Sequence, residues 1–248
     1  MYYDEPNNVI IIGDINNQRV IQFSLDNLSA GGTVIAGTGA PICSSTQAQV
    51  PVGIGLDSYR QMYVTDPGCS QILRYPPNPN PSTNAVLIAY EPVPEVLHIN
   101  PFTDDLYVAG YYYHRVLKFP SGSSTGIVVA GEYESFDEDF WLKWLLLLHI
   151  GDNGPGNALN QLYYPNSVYF DYLYTNALYV ADTGNHRVLK FPPGSTSATN
   201  GVVVAGDNSA GNGPNQLNEP RLVITDYNGN LYISDGSKRK WNECENLE

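Results

Sequence analysis

The chain has 248 residues; 15% are charged, while 23 glycines, 18 prolines and 19 tyrosines stand out. That composition suits short strands joined by tight turns and argues against a helical or disordered chain. A formal net charge of −13 repels phosphate backbones, so nucleic acid is not an expected partner. The longest apolar stretch, around residues 140–148, falls far short of the roughly 20 residues a bilayer span needs.

Residues 1–4 read as the tail of a strand. An apolar run at 10–14 then closes on Asp14, and it recurs at 62–66, 106–110, 178–182 and 231–235. After four of these a short turn leads to a second run, at 18–23, 70–75, 114–119 and 186–191. The same four copies add a third run, at 32–37, 85–90, 126–131 and 201–206. The alternation and the Gly/Pro/Ser/Asn-rich breaks predict successive antiparallel strands.

A fixed ruler locates a fourth strand. Gly37 to Pro51, Gly151 to Pro165 and Gly206 to Pro220 are each 14 residues apart, and an acidic residue follows each proline six positions on, at Asp57, Asp171 and Asp226. Pro94 leads to Asn100 by the same step. The segment between proline and Asp/Asn is the expected innermost strand.

Four strands per unit, with neighbouring units 44 to 53 residues apart, predict an all-β chain: a β-propeller of four-stranded antiparallel blades. The segment Leu178-Tyr179-Val180-Ala181-Asp182-Thr183-Gly184-Asn185-His186-Arg187-Val188 resembles the NHL repeat, a strand ending in Asp, a small-residue turn, then Asn-His-Arg-Val. The expected blades cover about 1–37, 50–90, 94–131, 165–206 and 220–242, a single domain of four and a half to five blades. The resemblance implies a ring of six, so this chain would be a fragment, an open ring, or a ring completed by another chain.

The copies depart from the motif in places. Gly110 stands where the other blades carry Asp14, Asp66, Asp182 and Asp235. Gly110 and Asp182 are 72 residues apart, and removing 132–151 restores the ordinary spacing. That stretch, with Trp141, Trp144 and four leucines, reads as an insertion: a translated intron, a functional arm or an adventitious short helix.

The Asp14/Arg19 and Asp182/Arg187 pairs are expected to pin their turns by charge-assisted hydrogen bonds rather than to catalyse. Counted from the innermost strand outwards, antiparallel order puts the loops after the second and fourth strands on one face of the ring. Cys43 and Cys69 fall in such loops, either as a disulfide or as two free thiols. A disulfide, with the sequon Asn27-Leu28-Ser29, would favour an extracellular over a cytoplasmic location. The same face carries Tyr111, Tyr112, Tyr113, Tyr163 and Tyr164, read either as a binding surface or as packing between blades.

The Gly/Asp/Asn loops at 151–157 and 206–212 read as turns rather than calcium sites, and neither a metal nor another cofactor is expected. His98 alone among the four histidines sits on an inner strand. The resulting expectation is a non-catalytic scaffold whose loop face holds a protein, peptide or glycan. A metal-dependent enzyme resembling the peptide-amidating lyases is the alternative, and an RNA-binding propeller the second.

Overall fold

The computed structural model describes residues 1–40, 42–44, 48–131, 155–207, 209–236 and 240–244. The expected insertion at 132–151 lies outside the described residues. The described residues form five antiparallel sheets, each a blade. Blade one is β1 (Tyr2–Asp4), β2 (Val9–Asp14), β3 (Arg19–Ser24) and β4 (Thr33–Ala36), and blade two is β5 (Ile54–Leu56), β6 (Met62–Asp66), β7 (Gln71–Tyr75) and β8 (Val86–Tyr90). Blade three is β9 (Pro94–Ile99), β10 (Leu106–Gly110), β11 (Arg115–Phe119) and β12 (Ile127–Gly131). Blade four is β13 (Pro165–Asp171), β14 (Ala177–Asp182), β15 (Arg187–Phe191) and β16 (Val202–Ala205), and blade five is β17 (Pro220–Thr225), β18 (Leu231–Asp235) and β19 (Lys240–Cys244).

The 14-plus-6 ruler has a physical cause at both ends of its short arm. Pro165 and Pro220 open β13 and β17, where the register slips by one residue beside Asp182 and Asp235. Proline lacks the N–H a regular ladder would require, so it belongs at such a bulge. Six residues on, a carboxylate or amide caps the inner turn by accepting backbone N–H groups. Asp57 takes those of Tyr59 and Gln61, Asn100 that of Phe102, Asp171 those of Leu173, Tyr174 and Thr175, and Asp226 those of Asn228 and Asn230. An Asx side chain does this more strongly than the hydroxyl of Ser or Thr.

The turn between the second and third strands is just as regular. Its last residue is left-handed in four blades: Gln18, Ser70, His114 and His186, at φ from 47° to 55°. The strand-four glycines Gly37, Gly131 and Gly206 lie against this residue's carbonyl at φ of 65° to 80°, where a side chain would be both strained and blocked.

Strands buried on both faces read as apolar runs, and alternate residues serve opposite neighbours. On β14, Val180 packs towards blade three with Tyr107 and Val116, whereas Tyr179 packs towards blade five with Val223 and Ile233. Equivalent clusters join blades one and two through Ile11, Val20, Val64 and Leu73, and blades two and three through Tyr63, Ile72, Val108 and Leu117. Blade five reaches blade one through the Tyr227 hydroxyl, which donates to Glu5 Oε2 at 3.4 Å.

Candidate functional site

The turn pairs come first because they position the loops. Arg187 Nε donates to Asp182 Oδ2 at 2.7 Å with both side chains fully buried, and the guanidinium also donates to the carbonyls of Asn157, Ala158 and Gln161. Asp182 Oδ1 accepts the Tyr163 N–H at 2.7 Å, and Asn185 Nδ2 donates to Oδ2. Burial pushes the Asp182 carboxyl up, opposed by Asn185, the Tyr163 N–H and Arg187. The pair thus clamps the loop entering blade four. Asp66 holds the Gln49 and Val50 N–H groups and Asp235 that of Asn218 in the same way. In blade one, Arg19 Nε donates to Asp14 Oδ2 at 2.8 Å while both side chains stay partly exposed.

Blade three solves the same problem with a different residue. No Asp stands at Gly110, but Glu91, from the short link out of blade two, reaches into that space, and a Cβ on Gly110 would overlap its Oε1. Glu91 accepts from Arg115 Nη2 at 2.6 Å and Nε at 3.2 Å, whereas Asp182 accepts from Arg187 Nε alone. Burial pushes the Glu91 carboxyl up, against the pull of Arg115. Only Pro92 and Val93 separate Glu91 from β9, so here the clamping carboxylate belongs to the entering link itself. The sequence shows the missing Asp at Gly110, but Glu91 ends another blade's link and only the fold brings it there.

Cys43 and Cys69 are joined by a disulfide with Cα atoms 5.5 Å apart, tying the loop that enters blade two to that blade's own turn. The loop at 206–212, apart from Asn208 outside the described residues, forms turn chemistry: Asp207 Oδ1 accepts from the Ser209 N–H and hydroxyl, and Gly213 N–H donates to Gln216.

Three of the five tyrosines, Tyr111, Tyr163 and Tyr164, converge, while Tyr112 and Tyr113 meet each other edge-on at 5.7 Å. The Tyr111 and Tyr164 rings lie 4.7 Å apart and those of Tyr163 and Tyr164 4.5 Å, with the His114 ring against both at 5.3 and 4.5 Å. His114 Nδ1 accepts the Tyr164 N–H at 2.9 Å, which requires a neutral imidazole, and burial lowers its pKa accordingly. Tyr112 and Tyr163 are exposed and Tyr111, Tyr113 and Tyr164 half-buried, so the cluster both packs the third and fourth blades together and faces solvent. Beside it lies Glu95 on β9, whose electrostatic field reaches Tyr111 together with those of Glu219 and Arg221. Burial pushes the Glu95 carboxyl up to about 7, with Arg221 pulling the other way. Sequence reasoning missed Glu95, an acidic residue one position after the proline that opens an inner strand.

His98 also sits on β9, further along the channel, with the Tyr169 ring 4.6 Å away. Its Nε2 is buried with no hydrogen-bond partner among the described residues, and burial pushes the imidazole down to about 4. Among the described residues no three His, Cys, Asp or Glu side chains come together in a way that could hold a metal ion.

No protein-family model matches the chain, and no curated protein matches it. Solved structures do. One chain of the crystal structure of a nidogen/laminin complex is 19% identical at a TM-score of 0.65, covering 96% of this chain and 71% of its own. An auxiliary nutrient binding protein from Bacteroides thetaiotaomicron is 14% identical at 0.66, over 98% of this chain and 57% of its own. A virginiamycin B lyase from Staphylococcus aureus is 10% identical at 0.53, over 98% and 68%. The chain is a β-propeller. At such identities the likeness carries the propeller fold, which hosts binding proteins and lyases alike. No helix among the described residues of the propeller is long and apolar enough to cross a membrane.

Proposed function

We propose that this propeller is a non-catalytic binding platform that holds a protein, peptide or glycan at the mouth lined by Tyr111, Tyr112, Tyr163 and Tyr164. The observation that carries the reading is the convergence of tyrosines from two blades on one face, partly exposed and set beside Glu95. Tyrosine offers large contact area at low entropy cost and a hydroxyl for polar recognition. Similar propellers in a nidogen/laminin complex and in a nutrient binding protein support a binding role. The Cys43–Cys69 bridge supports an extracellular, oxidising setting.

Panning of peptide and glycan collections, followed by calorimetry on the retained ligand, tests the reading. Tyr112→Ala and Tyr163→Ala should each weaken that ligand about tenfold, the scale of an interface anchor. A ligand whose affinity ignores both changes would sink it.

A second reading, a metal-dependent lyase, is favoured by Glu95, since a carboxyl near 7 suits proton transfer at neutral pH. Solved lyases of the same fold lend it support. It requires stoichiometric divalent metal after dialysis, measured by plasma mass spectrometry. A metal-free preparation that binds its ligand fully supports the platform instead.

A further inference from the structure

The opposite mouth of the channel has its own chemistry. Every inner turn of blades two to five carries an aromatic residue one or two positions after its capping residue: Tyr59, Phe102, Tyr172 and Tyr227. Blade one contributes Tyr2 and Tyr3 from β1, before Asp4. Tyr59, Phe102 and Tyr227 are among the most exposed large side chains of the protein, at 69%, 76% and 71%. The turn caps need Asp or Asn for their geometry, but nothing in a turn needs an aromatic beside them.

Several of these rings meet over a cavity of about 320 Å³ lined by Tyr2, Tyr3, Glu5, His98, Tyr172 and Tyr227, among others. Tyr227 reaches Glu5, the Tyr172 ring stacks 6.5 Å from His98, and Phe102 meets Tyr172 edge-on at 5.5 Å. Tyr3, Tyr172 and Glu5 all lie close enough to act electrostatically on the Tyr227 hydroxyl.

The charge inventory is one-sided. Glu5 is the one carboxylate among the described lining residues, and no Lys or Arg joins it. The nearby Arg60 is occupied, held by both oxygens of the buried Asp4. His98 is neutral at physiological pH, and the protein as a whole carries −13. Tyrosine faces are negative at their centres and attract a cation within about 6 Å of the ring. A carboxylate at their edge adds charge complementarity, and a net-negative surface draws cations in.

We propose that this mouth binds an organic cation, an alkylammonium or guanidinium group, seated on the faces of Tyr3, Tyr172 and Tyr227 with its charge against Glu5. The site lies on the inner-turn side of the ring, away from the Tyr111/Tyr164 cluster, and stands independently of it.

Titration with choline and with its uncharged carbon isostere, 3,3-dimethylbutan-1-ol, followed by calorimetry or NMR, tests this directly. Choline should bind saturably, the isostere about tenfold more weakly, the scale of a cation held on aromatic faces. Tyr227→Ala and Glu5→Gln should each weaken choline several-fold with unchanged melting curves, as both side chains are exposed. Tyr112→Ala, on the other mouth, should leave choline binding untouched. An acetylated Gly-Lys-Gly amide separates the two sources of the cation: tighter binding than choline assigns the site to a peptide side chain, weaker binding to a small molecule. Equal affinity for choline and its isostere overturns the proposal, as does choline binding that survives both substitutions, or the absence of saturable binding by any of the cations.

Discussion

Blades one and four carry the same Asp and Arg five positions apart, joined in nearly the same geometry at 2.8 and 2.7 Å. In blade four both side chains are at 0% exposure, and the guanidinium also feeds three carbonyls of the loop from blade three. In blade one the two side chains keep 37% and 24%. The apolar face follows the same division. Val180, Leu189 and Phe191 of blade four are sealed against blade three, whereas their counterparts Ile12, Ile21 and Phe23 line an open groove of about 340 Å³. A local motif thus sets the shape of a turn, and what packs over it sets the energetic weight. A buried ion pair without its loop would be costly; an exposed one is nearly neutral.

The strongest way to break this comparison is to remove the arginine from each. Arg187→Ala strands a buried carboxylate and three carbonyls and should cost about 3–5 kcal/mol in urea unfolding. Arg19→Ala should leave the urea midpoint almost where it was. Equal losses would mean that the pair itself, not its cover, carries the stability.

Reduction of Cys43–Cys69 comes next, because this bond closes a 26-residue separation on a loop that Asp66 also clamps. Releasing it should cost about 2–4 kcal/mol by the gain in unfolded-state entropy, read as a lower unfolding midpoint with reductant. An unchanged midpoint would show that the Asp66 clamp holds the loop alone.

Blade three sharpens the comparison by exchange. Gly110→Asp alone should destabilise by about 1–3 kcal/mol through crowding against Glu91. Adding Glu91→Gly should recover most of that loss, since one carboxylate would again face Arg115. A double variant no better than the single one would show that the two positions are not interchangeable.

The last effect is absent at neutral pH and concerns burial acting without a partner. The His98 pKa falls from 6.5 in the unfolded chain to about 4 in the folded one. Between those values the unfolded chain binds a proton that the folded one does not. Stability should therefore fall as pH drops from 6.5 to 4 and be unaffected by this group above 6.5. His98→Phe should flatten that part of the pH profile, and an unchanged slope would assign it to other groups.

Much of the architecture was legible in the residues because it repeats. Proline at a bulge, Asp or Asn six positions later at an inner turn, a left-handed residue before the third strand and glycine after the fourth are all local backbone demands. Each recurs in at least three of the five blades. The aromatic tips of the inner turns were equally visible one or two places after each cap, yet the eye is drawn to the adjacent Tyr111-Tyr112-Tyr113 run instead. Residues 57, 100, 171 and 226 are distant in sequence and become neighbours only around a channel.

What the sequence determined by itself was the blade: its strand order, its turns and the alternation that gives each strand two apolar faces. What the tertiary structure alone decided was which copies of a motif are dry. The Glu91 substitution for a missing Asp, the neutral-range carboxyl of Glu95 and the burial of Asp182 but not Asp14 all depend on which neighbouring blade or loop lies over the group. Local backbone geometry is encoded within a few residues. Desolvation is set by atoms from other blades, and no short-range pattern carries it.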